Sequence, residues 1–183
     1  MDIRIVAIHE AGHAVAVERL GLKLKAVTVV PKENIGGTVH HNDTLRRLKR
    51  TGDDSDRERL KAERVIMLCL AGPEAQKRFD PNSDWEACGE SDFAAAAELS
   101  RHFFGEGDSA VAFMEWMKVR TCDLVGQNWS LIEHLADQLI ERKTIGGDEA
   151  MLLIKRRRAK ELGAEKEFDA LLAALHVDAK AGA

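Results

Sequence analysis

His9-Glu10-Ala11-Gly12-His13 sits inside an apolar-periodic run from Ile3 to Leu20, and its spacing decides how the chain is read. Residues four apart on an α-helix lie one above the other, so both imidazoles reach toward one point while Glu10 flanks it. Ile5, His9, His13 and Val17 form one such row. The histidines therefore share the inward, apolar side of the helix, where they are costly without a partner. A metal ion is one such partner, and a hydrogen-bonded structural pair is the other. Ala11, Gly12 and Ala14 suit close approach by another element, although a glycine inside a helix costs about 1 kcal/mol relative to alanine.

The spacing resembles the HExxH helices of zinc peptidases. Neutral imidazole nitrogens suit a borderline-soft ion such as Zn²⁺, and a catalytic zinc site takes three protein ligands and keeps one position for water. Bound zinc lowers the pKa of its water toward ~7, and a carboxylate next to a ligand is placed to accept the proton and hand it to the leaving amine. That role falls to Glu10, with His9 and His13 as ligands.

A third ligand has to come from elsewhere. The metzincin pattern needs Gly at 16 and His at 19, and the chain has Ala16 and Arg19. The candidates are Asp80, Asp84, Glu90, Asp92, Glu98, His102 and His134. Asp92 leads on local grounds: it opens a helical run, where a short side chain is held rigidly, and Ala94 to Ala97 leave that helix face uncrowded. Its plain alternative is to complement the helix dipole, as any acid in a first turn does.

Bulk properties set the class. The chain has 183 residues, 45% of them hydrophobic, 32% charged and 5% aromatic, with no Tyr. That is enough for one well-cored domain, and the abundance of Ala, Leu, Glu, Arg and Lys favours helices. A formal charge of -4 gives no general attraction to nucleic acid. No run approaches the ~20 apolar residues of a membrane span, no secretory signal precedes the metal helix, and Cys69, Cys88 and Cys122 show no paired spacing. The expectation is a cytoplasmic protein without membrane contact.

In chain order, Leu20-Gly21 closes the first helix. Ala26 to Val30 reads as a strand, Pro31 to Gly36 as a turn and Gly37 to His41 as the hairpin partner. The hairpin either offers an edge to an extended peptide or only covers the metal helix. His40 and His41 read as solvated residues, since neighbours in a strand point to opposite faces. Asn42 to Asp56 is a charged connection. Arg57 to Phe79 is helical, with Ala71-Gly72-Pro73 breaking or restarting it. Pro81 to Glu90 is a loop, and Ser91 caps a helix from Asp92 to Phe104. Helices follow over Ser109 to Val125, Asn128 to Arg142, Asp148 to Arg158 and Ala164 to Leu175, with a break at Ile145-Gly146-Gly147 and a frayed tail from Val177. Lys155 to Arg158 reads as a solvated helix end rather than a nucleic-acid patch.

Set in order, these pieces resemble the FtsH-like zinc metallopeptidase family, from His9 to about Ile154. The likeness rests on His9-Glu10-Ala11-Gly12-His13-Ala14, on Val27-Thr28-Val29-Val30-Pro31 with Gly36-Gly37-Thr38, and on Leu70-Ala71-Gly72-Pro73-Glu74-Ala75. It continues through Gly89-Glu90-Ser91-Asp92-Phe93-Ala94-Ala95-Ala96 to Leu135-Ala136, Leu139-Ile140-Glu141 and Thr144-Ile145-Gly146-Gly147-Asp148-Glu149. In that family an Asp opening a helix after a Gly-containing loop is the third zinc ligand, and the matching position is Asp92. Pro73 and Glu74 stand where the family commonly has Arg and Ala. No GxxxxGK(S/T) phosphate loop and no transmembrane segment accompany the peptidase-like part, so the likeness is to the stand-alone members.

The resulting expectation is a mainly α-helical HExxH zincin with a small β-hairpin, residues 1–158 forming the peptidase-like domain and 159–183 a helical extension and tail. The implied activity is zinc-dependent hydrolysis of peptide bonds in flexible or unfolded polypeptides. His9, His13 and Asp92 would hold Zn²⁺, Glu10 would act as base, and a separate ATPase or a homo-oligomer would be the partner. The rival is a catalytically weak, metal-stabilised interaction or regulatory protein.

Overall fold

Helix α1, Ile3–Arg19, is buried on every side from Val6 to Val17, so the rest of the chain packs around it. A computed structural model describes residues 2–31, 38–41 and 55–181, with the backbone alone for 38–41 and 175–181. The Asp2 carboxylate caps the start of α1 by accepting from the Arg4 amide. At the other end the amides of Gly21 and Leu22 donate to the carbonyls of Glu18 and Val17, with Gly21 at φ 68°. That double bond closes the helix in the manner that favours glycine.

Strand β1 (Leu24–Thr28) follows, then β2 (Thr38–His41), and next the long helix α2, Asp56–Phe79. A one-turn helix α3 (Trp85–Cys88) leads into α4 (Glu90–Phe104), α5 (Asp108–Gln127) and α6 (Trp129–Arg142). Strand β3 (Thr144–Gly146), α7 (Gly147–Glu161) and α8 (Glu165–Ala181) complete the order. The molecule is mainly helical, with one antiparallel sheet in the order β2-β1-β3. Among the described residues no helix is long and apolar enough to cross a membrane, and Cys69, Cys88 and Cys122 form no disulfide.

Two apolar clusters form the core. One gathers α1, β1, α6, β3 and α7 around Ile8, Val15, Val27, Leu135, Ile145 and Ile154, with Leu68, Ala71 and Ala75 of α2 joining it. The other joins α2, α4 and α5 through Ile66, Leu70, Leu99, Phe103 and Met117. Helix α2 belongs to both and runs along the seam between them. Its approach to α1 is close: a Cβ on Gly12 would lie 2.7 Å from the Ala71 carbonyl oxygen.

Several elements depart from the sequence reading. Helix α2 does not break at Ala71-Gly72-Pro73 but continues through Pro73. A proline disfavours helix in the preceding residue mainly through that residue's Cβ, and Gly72 has none. Burial of Leu68, Ala71 and Ala75 on one side and Ile66 and Leu70 on the other then offsets the backbone bond that Pro73 forgoes. Within the expected 81–90 loop, Trp85–Cys88 forms its own turn of helix. That turn hands the chain over at Gly89, so Gly89 rather than Ser91 stands at the cap of α4 and Asp92 lies inside the first turn.

The sheet is larger than a hairpin. The expected break at Ile145 holds a third strand, with Val27 opposite Ile145 and Thr28 opposite Thr144. Thr28 and Thr144 hydroxyls lie 2.6 Å apart across this pair. β1 is therefore central and β2 and β3 are the edges. A three-residue strand is too short to carry a period-two signal, which is why it was not read from the sequence. β1 itself begins at Leu24 rather than Ala26. The last helix continues through Ala181, past the point where a frayed tail was expected. The expected turn at 32–36 and most of the charged connection, 42–54, lie outside the described residues, as do the side chains of His40 and His41.

Candidate metal centre

Three helices bring the site together. α1 presents His9 and His13 one turn apart, α4 presents Asp92 from its first turn, and α2 lies between them. The His9 and His13 Nε2 atoms are 3.1 Å apart, and Asp92 Oδ2 is 3.4 Å from each. A tetrahedral ion with ligands at about 2.0–2.1 Å places its ligand atoms about 3.3–3.4 Å from one another. The three atoms are thus already spaced as the ligands of one small cation. Among the described residues, His9, His13 and Asp92 are the group of His, Cys, Asp or Glu side chains whose ligand atoms converge in this way.

The far nitrogens of both rings are occupied by acceptors. His13 Nδ1 is 2.8 Å from the Leu68 carbonyl oxygen, which can only accept, so the proton sits on Nδ1. His9 Nδ1 donates to Gln76 Oε1 at 3.0 Å. Both Nε2 lone pairs are therefore left facing each other and the Asp92 carboxylate, an arrangement that calls for a positive charge in their midst. Such outer partners fix the tautomer of metal-binding histidines.

The electrostatics agree. Burial works against an imidazolium at His13, but the charge and hydrogen bond of Asp92, aided by Glu10 and the Leu68 carbonyl, hold its pKa up at about 9. Burial likewise opposes the Asp92 carboxylate, yet the adjacent histidines keep its pKa well below the ordinary carboxylate range. A proton is the smallest cation this centre attracts, and a metal ion would displace it.

Glu10 is 6% exposed, and its Oε2 is buried with no hydrogen-bond partner. Burial raises its pKa; the two histidines pull it back and Asp92 pushes it further up. Glu10 thus keeps hydrogen-bonding capacity beside the converging nitrogens.

Gly72 supplies the remaining wall. A Cβ there would stand 2.3 Å from His13 Nε2 and 2.7 Å from His9 Nε2, in the space the converging nitrogens face. Glu74, two residues on, instead lines a separate cavity between α2, α4 and α5, with Leu70, Trp85, Phe93 and Met114.

The other third-ligand candidates have ordinary roles or positions. Asp80 accepts from the Asn82 amide at the end of α2, Asp84 stands exposed at the residue before α3 without a side-chain capping bond, and Glu90 and Glu98 are exposed on α4. His102 packs edge-on against Phe103, and His134 lies half-buried on α6. Sequence reading named His9, His13, Asp92 and Glu10, which the structure brings together, but not Gln76, Gly72 or the Leu68 carbonyl. Their spacing of four along α2 was the available signal, hidden by the expected break at Pro73.

Comparison of the chain with protein-family models and with curated proteins finds no match.

Proposed function

We propose that this chain is a zinc-dependent metallopeptidase with a zincin arrangement, of the kind its sequence resembles in the FtsH-like peptidases. The observation that carries the reading is the triangle of His9 Nε2, His13 Nε2 and Asp92 Oδ2 beside the unpartnered Oε2 of Glu10. A Zn²⁺ ion held by these three atoms supplies Lewis acidity, acidifying water and polarising a scissile carbonyl. With their Nδ1–H groups donating to Gln76 Oε1 and the Leu68 carbonyl, His9 and His13 would offer their Nε2 lone pairs to the ion. Glu10 Oε2 receives the proton that water gives up on attack and returns it to the departing amine. Burial raises its pKa above the ordinary carboxylate value, the direction that favours a carboxylate taking up a proton.

The ligands restrict the substrate. His9 and His13 are less than a tenth exposed, so a scissile bond has to arrive on an extended, flexible segment rather than on a folded surface. Flexible or unfolded polypeptides are the substrates, and a separate ATPase or further copies of the chain would serve to deliver folded ones.

The test is digestion of an unfolded protein such as casein by the wild type and by Glu10→Gln, with zinc content measured on both. Wild type cleaves; Glu10→Gln keeps its zinc and loses about 10²- to 10⁴-fold in rate. Zinc-loaded wild type that cleaves nothing, or equal cleavage by both, overturns the peptidase reading in favour of a metal-stabilised interaction protein.

A further inference from the structure

One face of α2 addresses the whole centre. Leu68, Gly72 and Gln76 recur every four residues along it, and residues so spaced share a helix face. Leu68 holds His13, Gly72 clears the space beside both Nε2 atoms, and Gln76 holds His9. Of the three, Gln76 acts through its side chain, and it is 1% exposed.

Its amide is fixed at both ends. His9 Nδ1–H donates to Oε1 at 3.0 Å, Gln76 Nε2 donates to Ser83 Oγ at 3.3 Å, and the Ser83 hydroxyl donates to the Asp80 carbonyl at 2.7 Å. Every donor in this series points the same way, away from the site. The series ends on the turn after α2, where Ser83 is tied to Asp80 by a backbone bond as well. The Asp80 carbonyl can only accept, so the Ser83 hydroxyl spends its proton there and the Gln76 amide presents its N–H to Ser83 and its oxygen to His9.

We propose that Gln76 is a positioning residue that selects the Nδ1–H tautomer of His9 and aims its Nε2 at the bound metal, with Ser83 and the Asp80 carbonyl holding the amide in that sense. This rests on the reading of His9, His13 and Asp92 as metal ligands. A purely structural Gln76 would fill space and satisfy itself, and replacement by a similarly shaped apolar side chain would then leave the centre unaffected. Here the same replacement strands the His9 N–H in a buried place and frees the ring to turn or change tautomer.

The experiment titrates zinc-stripped full-length protein with Zn²⁺ against a chromophoric chelator, for wild type, Gln76→Met, Gln76→Glu and Ser83→Ala, and records the ring ¹⁵N shifts of His9. Gln76→Met should weaken zinc binding by about 10- to 100-fold, the usual effect of removing such a partner. Gln76→Glu, which keeps an acceptor at the same reach, should bind as tightly as wild type or more tightly. The wild-type ¹⁵N pattern should show a proton on Nδ1, and Gln76→Met should lose that pattern. Should Gln76→Met fail to fold, Ser83→Ala decides, with a several-fold weaker affinity expected. Unchanged zinc affinity in folded Gln76→Met, or in Ser83→Ala where Gln76→Met does not fold, overturns the positioning role. A wild type that takes up no zinc removes the metal reading itself, a distinct result visible in the first arm.

Discussion

Gly72 and His13 are separated by less than a methyl group: a Cβ on the glycine would lie 2.3 Å from His13 Nε2. The helix that passes behind the site is thus bare where the ligand atoms converge. Glycine there serves a second end, because it lets α2 remain helical up to Pro73.

Gly72→Ala should therefore abolish zinc uptake while costing about 1–3 kcal/mol of stability, the range for forcing a methyl group into filled space. Zinc per chain by atomic emission and a denaturant melt check the two parts. Zinc retained at one per chain would refute the assignment of that space to the ion.

The zinc-stripped protein should be most stable in mildly acidic solution. A pKa of about 9 at His13, against an ordinary 6.5, gives stability that is complete below pH 6.5 and is lost as pH rises through 9. The lowered pKa of Asp92 works on the other limb: its contribution is present above the usual carboxylate range and is lost as pH falls toward the folded value. Glu10, raised by burial, adds to the loss on the rising side. Melts from pH 2 to 10 should show this profile, and His13→Gln should flatten its alkaline limb.

Gly147 tests the sheet independently of the site. A Cβ there would meet the Leu24 carbonyl oxygen at 2.1 Å, a backbone atom that cannot swing aside. Gly147→Ala should lift the start of α7 off β1 and cost about 1–3 kcal/mol, with zinc affinity unchanged.

What the sequence made readable follows from range. His9, Glu10 and His13 belong to one helical turn, so their shared direction follows from periodicity alone. Asp92 is remote, and the residues by themselves placed it only ahead of Asp84 and Glu98 among several candidates; the family likeness singled it out. Gln76 and Gly72 were illegible for a different reason. Each looks ordinary in its own helix, and their meaning depends on α2 lying antiparallel to α1 in one register, with Leu68 at His13 and Gln76 at His9. Pro73 compounded this by suggesting a break in the helix that carries them. β3 was lost because pairing with β1, rather than its own three residues, makes it a strand.

Because α2 belongs to both apolar clusters while the ligands are split between them, a cation here would be a rivet through two plates. α1 sits in one plate and α4 in the other. Filling the centre would add a bond between α1 and α4 to the links already made by α2, by α5 and by the Asp92 contacts with His9 and His13. An ion in that position would then also govern how far α4 can breathe relative to the half built on α1.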